Sequence, residues 1–375
     1  MIYFDNSATT SIHPEVLEAM LPYLKEEYGN PSSRFYSLAE NAKKAVEQAR
    51  EQVADLLGCR PDEVIFTSGA TESNNTIIKG IADYYGTAGK QLITTEVEHP
   101  SVLETIKYLE TKGFSTKYLH PDKFGRVTAS QLSDSIIEGE TILASILWGN
   151  NEIGSLNDID SLARVCDEKN IFFHTDATQV LGKVEIKLSK LPINFLSCSA
   201  HKIHGPKGVG ACIIRKKLGL KTKLTPLLHG GGQENDYRSG TLSVHNIVGF
   251  GKAAEIANSN LHKNRAALFA LEDVLFQQLT ERFNDSVLFN NDAENKIPGL
   301  VSIQFKGTIN ELLIKKLAHE GFHLSSGSAC SSTKPSHVLT SIGLSLSELR
   351  STIRISLSPS NTEEEIHSLV ETLSK

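Results

Sequence analysis

A lysine placed just after a buried strand is the residue of this chain best suited to covalent chemistry. Lys202 stands in Ser199-Ala200-His201-Lys202-Ile203, after the apolar run Ile193-Asn194-Phe195-Leu196 and before the turn Gly205-Pro206-Lys207-Gly208. A partly desolvated amine gives up its proton readily, and the free amine forms a Schiff base with a carbonyl compound. Lys207 is a chemically plausible rival on the same grounds. A lone lysine in a turn is usually a solvated surface residue, so the assignment depends on the company it keeps. Thr67-Ser68-Gly69-Ala70-Thr71-Glu72-Ser73 joins a strand-like to a helix-like segment, and its small residues and hydroxyls suit a phosphate held at helix amides. It lacks the Gly-Lys-Ser/Thr ending of a P-loop and serves equally well as an ordinary helix cap. His174-Thr175-Asp176-Ala177-Thr178-Gln179 ends an apolar strand, at the edge where open parallel sheets bind ligands. A carboxylate there can pair with a protonated ring nitrogen, although Asp is also a favoured helix cap.

Lys202 follows Asp176 by 26 positions, about one strand–helix–strand crossover. A phosphate-type loop, a ring-nitrogen carboxylate and a Schiff-base lysine, in that order at strand ends, are together far more specific than any one alone. They point to a pyridoxal 5'-phosphate enzyme.

The elements that must position these residues alternate as in an α/β domain with a mostly parallel sheet. Strands are expected at 63–67, 91–95, 141–147, 171–175, 193–196 and 209–214, with helices at 72–85 and 101–112. A long helix is expected from about 246 to 283. Beyond it the order changes to strand 300–305, helix 310–320, strand 351–357 and helix 363–373, a smaller α+β unit. An N-terminal helix at 14–27 packs on either unit.

Composition narrows the class. A net charge of −6 argues against nucleic acid as the main ligand, and no apolar run reaches the length of a membrane helix. The first residues lack a basic stretch followed by an apolar one, so no secretory signal is read there. Five cysteines without a Cys-x-x-Cys pair argue against a disulfide framework or a zinc site and for a reducing, cytoplasmic location.

Seven motifs together resemble one family. They are Tyr3-Phe4-Asp5-Asn6-Ser7-Ala8-Thr9-Thr10, Gly29-Asn30-Pro31-Ser32-Ser33, the 66–73 loop, Asn150-Asn151-Glu152-Ile153-Gly154, Ser199-Ala200-His201-Lys202, Arg238-Ser239-Gly240-Thr241 and Ser325-Ser326-Gly327-Ser328-Ala329-Cys330. By these the chain is similar, in order and over nearly its whole length, to cysteine desulfurases of the NifS/IscS type. That resemblance implies the pyridoxal-phosphate fold type I of aminotransferases. The large domain would be 12–258, and 1–11 with 259–375 would form the small domain.

The resemblance also implies roles. Lys202 would hold the cofactor, Asp176 its ring nitrogen and Gln179 its ring hydroxyl, while Ala70, Thr71, Ser199 and His201 would bind its phosphate. Thr241 would reach the phosphate of a neighbouring subunit, which implies a homodimer with shared sites. His99 would stack on the ring and act as acid and base. Asn151 would help position cofactor and substrate, and Arg354 would pair with the substrate carboxylate, a task its planar fork suits. Cys330 would take sulfur from L-cysteine as a persulfide, leave L-alanine, and pass the sulfur to an acceptor protein of iron–sulfur cluster assembly or of tRNA or cofactor thiolation. Cys330 lies in a run of small residues that reads as loop rather than packed core, whereas Cys59, Cys166, Cys198 and Cys212 read as buried and inert. Cys198 is the least certain of these, four residues before Lys202.

Two departures from the family pattern limit what it implies. The stretch after Cys330 is about two residues shorter than the long loop of this subgroup, which would shorten the reach of the thiol. The chain ends at Lys375, without the extension that many relatives use to dock a scaffold, so that partner is uncertain. A selenocysteine lyase and an inactive sulfur-relay subunit of the same fold are the alternatives.

Overall fold

The computed structural model describes residues 1–216, 222–327 and 335–375. Twelve strands are described: β1 (Ile2–Tyr3), β2 (Val64–Thr67), β3 (Gln91–Thr95), β4 (Ser115–Leu119), β5 (Thr141–Ser145), β6 (Phe172–Asp176), β7 (Phe195–Ser199), β8 (Gly210–Ile214), β9 (Val287–Phe289), β10 (Leu300–Phe305), β11 (Phe322–His323) and β12 (Thr352–Ser356). The helices that matter below are α1 (Pro14–Lys25), α2 (Ser37–Leu57), α3 (Ala70–Tyr85), α4 (Pro100–Glu110), α5 (Val244–Phe283), α6 (Asn310–His319), α7 (His337–Ser341) and α8 (Glu363–Leu373).

Every residue of β2, β3, β5, β7 and β8 is buried, and so are four of the five in β6. Strands covered on both faces read as near-continuous apolar runs, which is why their positions were visible. They form a seven-stranded sheet in the order β2-β8-β7-β6-β5-β3-β4. All neighbours are parallel except β8, which runs antiparallel to both β2 and β7. The sheet is therefore mostly parallel, as expected. Because β6 and β7 are adjacent, with Asp176 opposite Ser197, the segments that follow both strands emerge side by side at one sheet edge.

Two expected strands shift toward their C-terminal ends. Strand 193–196 begins instead at Phe195 and runs to Ser199, because the Asn194 side chain accepts the Phe173 amide and stands outside the ladder. Strand 171–175 becomes Phe172–Asp176, which makes Asp176 the terminal residue of β6.

The helix α5 spans 40 residues and belongs to two cores. Its first half buries Ile247, Phe250 and Ala254 against the large sheet. Its second half buries Leu268, Leu275 and Leu279 with Val301, Ile303, Ile353 and Ile355 of a three-stranded antiparallel sheet, ordered β12-β10-β9. Helix α2 packs so closely on α5 that a Cβ added at Gly251 would stand 2.5 Å from the Ala49 Cα, so only glycine allows that approach. The chain start is tied to the smaller unit. Strand β1 pairs in parallel with β11, and Asp5 bridges to Ser356. Residues 6–10 thereby run from the small sheet to the edge where β6 and β7 end.

Candidate active site

A cavity of about 570 Å³ opens at that edge. Its wall includes Ala70, Thr71, His99, Asn151, Asp176, Gln179, Ser199, His201, Lys202 and Arg354, ten of the twelve expected site residues. The eleventh, Thr241, is exposed and does not line this chain's own cavity. The twelfth, Cys330, lies outside the described residues.

Lys202 sits in the helical turn that follows β7. Its Nζ donates to the carbonyl oxygens of Ser7 and Ala8, the latter at 2.9 Å. Burial, with Lys183 and Arg354 nearby, pulls its pKa down to about 7, against the weaker opposing pull of Asp176 and Asp5. Such an amine is neutral in a large fraction of molecules near neutrality. The rival, Lys207, also lines the cavity but is exposed to solvent.

Asp176 ends its strand buried, with Oδ2 accepting from the Asn74 side chain at 2.8 Å and Oδ1 from the Thr178 amide at 3.0 Å. Asn74 also donates to Ser101 Oγ at 2.8 Å. Ser101 meets His99 Nδ1 through its hydroxyl at 2.8 Å and its amide at 3.1 Å. An amide can only donate, so Nδ1 is the acceptor and the ring proton stays on Nε2. Burial holds His99 below the ordinary histidine range, and its ring is neutral at pH 7. His201 is likewise pushed down to about 4 by burial and the adjacent lysines, its Nδ1 paired with Thr9 Oγ1 at 3.1 Å.

Helix α3 starts at Ala70 without a capping side chain, because Gly69 occupies the N-cap with φ 151°. Its first-turn amides at Ala70 and Thr71 therefore have no acceptor from a cap, and Ser199 and His201 face the same corner. A Cβ on Gly210 would lie 2.7 Å from the Gly69 Cα, so a glycine at 210 lets this loop pack directly on β8. Gln179 donates to the Ser7 carbonyl at 2.9 Å, yet its buried Oε1 has no partner, as expected of an acceptor waiting for a ring hydroxyl. These donors and acceptors fit a phosphorylated, protonated pyridine ring.

Arg354, 1 % exposed on β12, donates from Nη1 to the carbonyls of Asn151 and Gly327 and pairs through Nη2 with Asp5 at 2.6 Å. Its Nε has no partner among the described residues. A buried guanidinium with one unused donor beside a cavity can receive a carboxylate. Gly327, just before the undescribed 328–334, is thus held at the cavity by Arg354. Just after that stretch, Ser336 donates to Glu152 Oε2 at 2.5 Å and His337 Nε2 meets the Glu98 carbonyl at 2.9 Å.

Several of these groups carry no mark in the sequence. Asn74, Ser101, Thr9 and Asp5 act by holding Asp176, His99, His201 and Arg354. The only signal for Thr9 and Asp5 was the 3–10 motif, and none distinguished Asn74. Glu98 is fully buried with Oε1 accepting from Thr95 Oγ1 and the Leu147 amide, and burial raises its pKa to about 8. The thiol of Cys198 is buried away from the cavity and pushed up to about 12, and Cys59, Cys166 and Cys212 are raised by burial as well. All four are inert as nucleophiles.

The aminotransferase class-V family model matches residues 2–369. Cysteine desulfurase IscS of Dictyoglomus turgidum is 42% identical over 376 residues, covering 100% of this chain and 94% of the relative. A solved NifS-like protein superposes with a TM-score of 0.92 at 38% identity, covering 100% of this chain and 98% of that one. SspA, solved in complex with cysteine, gives 0.84 at 37% identity over 96% of this chain and 100% of that one.

Proposed function

The chain belongs to the aminotransferase class-V family, and we propose that it is a pyridoxal-phosphate-dependent cysteine desulfurase of the NifS/IscS type. It converts L-cysteine to L-alanine and transfers the sulfur. The observation that carries this reading is the meeting of Lys202, Asp176, His99 and Arg354 in one cavity, each held by named partners.

Bound in the cavity, pyridoxal phosphate supplies an electron sink for the bonds broken at the substrate's α-carbon. Ala70 and Thr71 amides, with Ser199 and His201, hold its phosphate, and Gln179 Oε1 accepts from its ring hydroxyl. Asp176, oriented by its hydrogen bonds from Asn74 and the Thr178 amide, would pair with the protonated ring nitrogen. Lys202 Nζ, with its depressed pKa of about 7, first anchors the cofactor and then takes the substrate's α-proton. Neutral His99 would offer Nε2–H to the cofactor. Arg354, with the Asn151 carbonyl against it, would receive the substrate carboxylate.

Cys330 completes the reaction as its thiolate. A bond forms between its sulfur and the substrate sulfur, and the carbon–sulfur bond breaks with its electron pair retained on carbon. Protonation there yields alanine, and the persulfide passes to an acceptor of iron–sulfur assembly or thiolation. The anchoring of Gly327 by Arg354, and of Ser336 and His337 by Glu152 and Glu98, supports delivery of Cys330 to this cavity.

Thr241 serves the second site of a homodimer. Its exposure supports this, as does an apolar outer face on α1 and the turn beyond, where Leu17, Leu21, Leu24 and Tyr28 are exposed. No described helix is long and apolar enough to cross a membrane, and Cys59, Cys166, Cys198 and Cys212 are free thiols, which supports a reducing cytoplasmic setting.

The test is to incubate holoenzyme with L-cysteine and a reducing thiol, and to measure alanine and sulfide. Equal amounts over many turnovers are expected. Cofactor absorbance without alanine would sink the proposal. Cys330→Ala should keep the cofactor and lose alanine formation; an unchanged rate would remove Cys330 from the mechanism.

A further inference from the structure

Lys202 lines a second cavity as well, of about 480 Å³, whose wall includes neither Asp176 nor His99. This rear cavity lies where the middle of α5 faces the turn after β12, between the two cores. Lys183 shares its wall, together with His13 and His204. Among the described residues no carboxylate lines it, and the Lys183 Nζ has no hydrogen-bond or ion-pair partner. Asn6, Asn260 and Asn264 add neutral polar groups, while Ile256, Leu268 and Leu357 form an apolar side.

An ammonium in such a place is costly unless it loses its proton or meets an anion. Burial does lower the Lys183 pKa, to about 8, so near neutrality it still holds its charge in most molecules. His204 donates Nδ1–H to the Ser11 carbonyl at 3.0 Å, and His13 Nδ1 accepts from the Glu15 amide at 3.3 Å. The second hydrogen bond leaves a donor at His13 Nε2. The wall thus offers cations and donors, an apolar flank and no competing carboxylate.

We propose that the rear cavity binds a small aliphatic carboxylate, its charged end on Lys183 and its carbon chain along Ile256, Leu268 and Leu357. The apolar flank favours such a molecule over a fully hydrated inorganic oxyanion. Once bound, the anion offsets the charge of Lys183, the cation that acts most strongly on Lys202. Occupancy therefore favours a proton at Lys202 and couples the rear cavity to the reactive amine.

The experiment uses holoenzyme with alanine saturating the front cavity, and titrates propionate, propionamide and inorganic phosphate by calorimetry. Propionate is expected to bind, and propionamide and phosphate are not. Lys183→Met, which keeps the shape and removes the charge, should weaken propionate at least ~10-fold. Asn264→Phe, which fills the cavity from a partly exposed position and leaves Lys183 in place, should abolish binding. A crystal of the propionate complex should show the carboxylate at Lys183 Nζ. Silence with propionate, equal affinity in Lys183→Met, density only at Arg354, or binding of phosphate alone would each overturn the proposal. The visible absorbance of the bound cofactor reports the coupling, and its pH midpoint should rise with propionate. This arm rests on Lys202 carrying the cofactor, whereas the binding arm does not, so the two readings fail separately.

Discussion

The front and rear cavities meet at one amine and surround it with opposite chemistry. The front wall includes three carboxylates, each tied to partners: Asp176 to Asn74 and Thr178, Glu72 to Arg238, and Glu152 to Ser336. The rear wall includes none among the described residues. Desolvation and Lys183 disfavour the charged form of Lys202, while Asp176 and Asp5 favour it, and the first pair prevails. A nucleophilic lysine is thus set by two regions, one that fixes where charge sits and one that makes charging costly.

The largest effect should follow from removing the shared residue. Lys202→Ala deprives both cavities of their common group and should lower turnover by about 10⁴-fold, the upper range for a positioned proton-transfer group. The absorbance of bound cofactor should change with it. A variant that retained wild-type absorbance and turnover would shift the role to Lys207. Asp176→Asn keeps the size of the front carboxylate and removes its charge. It should cost about 10²-fold in turnover with little change in folding, read by kinetics beside thermal melting.

Asn74→Ala tests how the front wall is held. It withdraws the donor to Asp176 Oδ2 and the contact with Ser101, which fixes His99. A hydrogen bond to a charged group is worth about 1.5–3 kcal/mol, so a loss of about 10- to 100-fold in kcat is expected. The loss should appear in kcat with the melting temperature little changed, whereas a purely structural asparagine would lower the melting temperature as well.

Asn74 also shows what the sequence could and could not reveal. Asp176, Ser199 and Lys202 were legible because each ends or follows a run buried on both faces, and polar chemistry just after such a run stands out. Their partners were not. Asn74 lies 102 residues from Asp176 and Asp5 lies 349 from Arg354, and nothing in local spacing records a contact made by the fold. Helix α2 escaped notice for another reason. Half of its buried residues are alanines, Ala39, Ala42, Ala45, Ala49 and Ala54, which dilute the apolar signal of Val46, Val53, Leu56 and Leu57, and Ala49 lies where α5 approaches closely. Strand β4 is the sheet edge, short and with only Leu119 buried, so its sequence resembles a loop. The rear cavity was invisible, since Lys183 and Leu357 meet only when the two units pack.

The smallest expected effect tests the rear wall directly. Lys183 titrates near 8 and Lys202 near 7, so Lys183 is still charged over the pH range in which Lys202 changes state. Its charge opposes that proton, as Arg354 does, while Asp176 and Asp5 favour it. In Lys183→Met the opposing charge is gone, and the pH midpoint of cofactor absorbance should rise by less than about one unit, under 10-fold in the protonation equilibrium. Stability should respond with its own sign. The folded pKa of Lys183 is depressed below its ordinary 10.5, so between about 8 and 10.5 the unfolded chain binds more protons and wild-type stability rises with pH. Below about 8 the full penalty is present. Lys183→Met should therefore melt above wild type near pH 7, and the two curves should converge above about pH 10.5. A midpoint that stays fixed while the melting difference appears would leave Lys183 a half-buried cation with no hold on the amine, and would confine control of Lys202 to desolvation and the front wall.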